Sequence, residues 1–120
     1  MRADRTAFSA DVRLLWCAAI TIISALVSAA FSVASLVGAA GDVIAQYAAS
    51  RSIALLVGAL VAAVLRRVEG IAALALVMSL VQGFDAIVGA LAHDPAKTYG
   101  PLALAIANIG TLAWLLRARE

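Results

Sequence analysis

Charge is scarce in this sequence, and the shortage decides its solvent. Only 13% of its 120 residues are Asp, Glu, Lys or Arg, about half of what a soluble domain carries. The single cysteine, Cys17, has no partner for a disulfide, a CxxC redox pair or a metal knot, and reads as a small core or lipid-facing residue. The single histidine, His93, cannot supply both axial ligands of a bis-histidine haem. Beside Asp94 at the end of an apolar run, it reads as a solvated loop residue. No cluster of His, Cys and carboxylate is set out for a metal, and no glycine-rich loop resembles a phosphate cradle, so neither metal nor cofactor is expected. The serines lack a histidine or lysine base at membrane depth, so an intramembrane serine hydrolase lacks its parts and the chain is not expected to be an enzyme. The small net charge of +2 comes from nine basic residues gathered at the ends of apolar runs, which argues against nucleic acid as a partner.

Apolar residues make up 65% of the chain, and the mean hydropathy is +1.05. They fall into four runs: Leu14 to Gly38, Ile53 to Leu65 ahead of Arg66-Arg67, Gly70 to Ala92 ahead of His93-Asp94-Pro95, and Pro101 to Leu116. The first is too long for the core of a signal peptide, although Val37-Gly38-Ala39 has the small-residue form of a cleavage site. Lipid leaves backbone groups unpaired in anything but a helix or a closed barrel, and no run shows the alternation of a barrel strand. The expected fold is therefore all-α, an antiparallel four-helix transmembrane bundle forming one domain over residues 1–120, with spans near 14–38, 44–65, 70–92 and 98–116.

Basic residues set the expected orientation. Arg2, Arg5, Arg13, Arg66, Arg67, Arg117 and Arg119 fall on one side, against Arg51 and Lys97 on the other, which places both termini in the cytoplasm. Trp16 and Trp114 then mark the inner interface and Tyr47 and Tyr99 the outer one.

The second apolar run covers only about 20 Å as a helix, against a hydrocarbon core of about 30 Å, so its helix must begin earlier. Counting back from Arg66 reaches Gln46, with Gly41-Asp42 just upstream as turn and N-cap. Arg51 then lies inside the membrane. The fourth helix starts either at Pro101, or at Pro95 with a bend at Pro101.

Small residues recur at helical spacing. Thr21, Ser24, Ser28, Ser32 and Ser35 make one face of the first helix small and weakly polar, with Ser24, Ser28 and Ser32 at its centre. Such a face suits close helix packing, and the alternative is a substrate path lined by serines. Charges inside spans are functional hypotheses by default, and there are two, Arg51 and Asp85. Counted from Arg66 and from Gly70, each lies about 22 Å above the inner edge, so a direct ion pair is expected, the alternative being that Arg51 snorkels and Asp85 is hydrated separately. Gln82, one turn below Asp85, and Gln46, above Arg51, complete a candidate polar cluster, and Asn108 lies deeper on the fourth helix.

The segments Ser50-Arg51-Ser52-Ile53-Ala54-Leu55 and Leu80-Val81-Gln82-Gly83-Phe84-Asp85-Ala86, with Gly100-Pro101, resemble the small four-span bacterial proteins grouped as DoxX-like, which include domains of unknown function. The resemblance covers roughly residues 45–116. It implies a four-helix bundle of the bacterial inner membrane and, for some members, respiratory or redox partners; without cysteine pairs or clear quinone or metal ligands, the redox role does not carry over. The size also invites comparison with small multidrug exporters, but these place an essential carboxylate in the first helix, and none lies between Asp11 and Asp42. Two functions stay open: an accessory or scaffold bundle that binds membrane protein partners or further copies of itself in the lipid bilayer, and a small exporter-like transporter with a polar cavity near Asp85. A water-accessible cavity reaching Asp85 and Gln82 discriminates them.

Overall fold

The computed structural model describes residues 2–38 and 41–117. They form four helices, α1 (Arg2–Gly38), α2 (Val43–Val64), α3 (Val68–Leu91) and α4 (Pro95–Arg117), each with a stretch long and apolar enough to cross a membrane. Arg119, one of the residues in the charge count, lies outside the described residues.

Helix α1 starts well before the apolar run at Leu14 and has 37 residues, about 55 Å of helix, which accounts for the 58 Å length of the molecule. Its membrane-length apolar part is Phe8–Gly38. Helix α2 begins beside Asp42, whose carboxylate accepts from the Ile44 N–H at 3.0 Å, and Gly41 supplies the positive φ of the preceding turn. Helix α4 begins at Pro95, so Pro101 lies inside it. Asp94 caps this start, accepting from the Lys97 N–H on its side chain and from the Thr98 hydroxyl on its carbonyl.

Both α2 and α3 end in the same motif. The N–H of Arg67 bonds Ala62 O and that of Arg66 bonds Ala63 O, while Asp94 and His93 repeat the pattern on Gly89 O and Ala90 O. Arg66 and His93 take the left-handed position normally given to glycine, with φ of 52° and 56°. His93 thus reverses the chain between α3 and α4.

Helices α1 and α3 each touch all three others, α3 packs most extensively on α4, and among the described residues α2 does not touch α4. The core is built from small side chains, including Ala25, Ala29, Ala49, Ala59, Ala75 and Ala105, whereas Leu26, Phe31, Leu80, Phe84 and Ile106 face outward. This inverts the pattern of a soluble bundle and allows the close backbone approach that membrane helices use in place of hydrophobic attraction. Gly89 marks the tightest spot. A Cβ there would overlap the Lys97 carbonyl and the Thr98 N–H of α4.

Candidate functional site

Three polar features lie at membrane depth. The first joins α1, α3 and α4. Asn108 of α4 is fully buried and donates from Nδ2 to Ser24 Oγ of α1 and to Leu104 O in its own helix, while its Oδ1 accepts from Thr21 Oγ1 at 3.3 Å. Gln82 of α3 is 2% exposed and donates from Nε2 to the Ser24 carbonyl at 3.1 Å. Ser24 therefore receives one helix on its side chain and another on its backbone. The one hydroxyl proton of Thr21 is shared between Asn108 Oδ1 and, more closely, Cys17 O in its own helix at 2.7 Å.

The second joins α1 to α2. Ser28 and Ser32 of α1, one turn apart, both reach Ser52 Oγ of α2, at 3.2 and 2.9 Å, and Ser52 is 2% exposed. Ser24, Ser28 and Ser32 thus all face other helices, whereas Ser35 is exposed. Ser52 carried no separate signal in the sequence, because a lone serine in an apolar helix is ordinary until its partner is known.

The third is the open side between α2 and α3, where Arg51 is exposed and Asp85 half-buried. The expected direct ion pair is absent, whereas Arg66 pairs with Asp11 at 2.9 Å and Lys97 with Asp94 at 3.9 Å. Register and the sparse packing of α2 on α3 together supply the reason. An ideal Cβ on Gly58 lies 3.9 Å from Leu74, and one on Gly70 lies 3.4 Å from Ala62. Extending these two facing pairs along both helices sets Arg51 across from Val81 and Asp85 across from Tyr47. The charges are offset by one turn, about 6 Å. The two helices also pack on each other least of any touching pair. Gln82 does not join Asp85 either, since its amide turns to α1, and Gln46 is exposed with no side-chain bond.

Near the other end of α2, Asp11 of α1 pairs with Arg66, and Arg13 lies 5.5 Å from the centre of the Trp114 ring while donating to Trp114 O at 3.2 Å. The sequence reading treated these groups only as orientation signals. Two surface depressions, of about 310 and 250 Å³, also lie here; the larger is lined by Leu14, Ala18, Ala63, Ile71 and Arg66, and the smaller by Leu60, Val61, Val64 and Leu65. Neither reaches Asp85 or Gln82. Among the described residues no group of three or more His, Cys, Asp or Glu is placed to hold a metal ion.

Fold and polar network together define a multi-pass membrane protein whose spans are tied through buried amides and hydroxyls. No family model matches the chain, and neither a curated protein nor a solved structure matches it significantly.

Proposed function

We propose that the chain is a non-enzymatic accessory or scaffold protein of a bacterial inner membrane, an antiparallel four-helix bundle of DoxX-like type with both termini in the cytoplasm, which binds membrane partners through its faces. One observation carries the preference over an exporter-like transporter: Gln82 and Asn108, the two largest buried polar side chains, both donate hydrogen bonds to α1 inside the core. A substrate path would leave such groups turned to a cavity. The antiparallel arrangement is supported by the pairs that meet. Thr21 meets Asn108 and Arg13 meets Trp114, so α4 runs back along α1, and Asp11 meets Arg66 while Ser28 meets Ser52, so α2 does the same. The orientation rests on the arginine count and the DoxX-like reading on the motifs quoted above.

The test uses single cysteines in a Cys17→Ala background and a membrane-impermeant thiol reagent on intact cells. A cysteine at Ala96 reacts and one at Ala3 is protected until the membrane is opened, while one at Gln82 stays unreactive from both sides. Labelling at Ala3 but not Ala96 overturns the orientation. Rapid labelling at Gln82 overturns the scaffold reading in favour of a water-filled path to Asp85.

A further inference from the structure

Among the described residues Arg51 and Asp85 are the only two charges deep within the spans, and neither has a hydrogen bond or ion-pair contact there. Arg51 lies about 12 Å from the start of α2 and Asp85 about 9 Å from the end of α3, so each sits well inside the hydrocarbon layer. A guanidinium offers five donors and a carboxylate about four acceptor sites, and hydrocarbon satisfies none of them. A countercharge entering between α2 and α3 would satisfy both.

Resting on the antiparallel membrane reading above, we infer that a second copy of this chain, inserted in the same orientation, packs on the open α2–α3 face, with Arg51 of each copy paired to Asp85 of the partner subunit. Four observations point to that occupant. The two charges are opposite, so a two-fold axis along the membrane normal through the gap sets α2 of each copy against α3 of the other and surrounds the axis with alternating charges. The offset of about 6 Å between them is the same across the axis as within one chain, and an arginine spans it where the facing helices pack closely. Helical side chains lean toward the helix N-terminus, so Arg51 on α2 and Asp85 on α3 lean toward each other's level. Symmetry preserves depth, and a copy therefore brings both countercharges at the required height. The face also has room, since Ala54, one turn from Arg51, is exposed. A zwitterionic lipid headgroup fits less well, since its ammonium would have to descend into the hydrocarbon to reach Asp85.

The experiment is charge exchange in trans. Two differently tagged copies are co-expressed, extracted in mild detergent, and one tag is captured. Wild-type copies co-purify. Arg51→Asp alone surrounds the axis with four acids and Asp85→Arg alone with four bases, so like charges meet and each self-pairing falls at least about tenfold. Arg51→Asp on one tag with Asp85→Arg on the other restores co-purification, which pairing within one chain cannot do. The inference is overturned if the wild type is monomeric, if the single variants co-purify as the wild type does, or if the mixed pair does no better than either alone. Where a reversed charge keeps a variant out of the membrane, Arg51→Gln and Asp85→Asn take its place, and unchanged co-purification by both is equally fatal. Wild-type chain that is inserted but monomeric defeats this inference alone, whereas chain absent from the membrane fraction defeats the function proposed above.

Discussion

Replacing Asn108 by leucine tests the idea that buried amides hold this bundle together. Leucine is close to asparagine in size, so the change removes polar contacts without opening a large cavity. Two interhelical bonds disappear, to Ser24 Oγ and from Thr21 Oγ1, along with the bond to Leu104 O. Interhelical side-chain bonds in membranes average about 0.6 kcal/mol and reach about 1.7, so Asn108→Leu is expected to cost about 1 to 3 kcal/mol. Ile109→Leu, at an outward-facing neighbour that is 56% exposed, stays within about 0.5 kcal/mol. Ser24→Ala removes the acceptor of Asn108 yet spares Gln82, which bonds the Ser24 carbonyl. The double variant Asn108→Leu with Ser24→Ala should therefore lose about 0.6 kcal/mol less than the sum of the two. The assay is reversible unfolding in mixed micelles followed by far-ultraviolet circular dichroism. Additivity of the pair, together with a cost for Asn108→Leu no larger than for Ile109→Leu, would refute the network as a source of stability.

Gly89→Ala should cost about 1 to 3 kcal/mol, because the new methyl group overlaps the Lys97 carbonyl, a backbone group that cannot swing aside, while Gly83→Ala, which meets nothing within 4 Å, should be neutral or mildly stabilising. Equal melting temperatures for the two would remove Gly89 as the contact that seats α4 on α3. Ser28→Leu should lower the melting temperature more than Val27→Leu, since Ser28 lies 3.2 Å from Ser52 and a leucine there forces α1 and α2 apart. Similar losses at both positions would mean that the α1–α2 seam yields without penalty.

The four spans were legible because each apolar run is long and because Asp42 and Asp94-Pro95 are recognisable helix starts. Helix α1 was read as beginning at Leu14 because charges interrupt the apolar pattern upstream, although Asp11 and Arg13 suit a helix that extends beyond the hydrocarbon. The serine face of α1 was legible too, since spacing alone puts Ser24, Ser28 and Ser32 on one side. What these serines touch was not, because Ser52, Gln82 and Asn108 come from three different helices and no local pattern encodes which of them arrives. The Arg51–Asp85 pairing was expected from equal counts along two helices measured from Arg66 and Gly70. That count assumes that the helices leave their loop at one level. The tight reversal at Arg66 sets them one turn out of step, a displacement fixed by the loop conformation, which apolar periodicity does not report.

The placement of Asn108 in the last helix has a consequence for how the protein is made. Its partners on α1, Ser24 and Thr21, are 84 and 87 residues upstream, and Trp114, which receives Arg13, is 101 residues from it. At ribosomal speeds of about 5 to 20 residues per second, the polar face of α1 waits on the order of 4 to 17 seconds for its last partner to be synthesised. Until α4 docks, Ser24 and Thr21 form an incomplete seam in lipid, in which only the Gln82 bond to the Ser24 carbonyl can form. A nascent chain halted before Asn108 keeps that seam open.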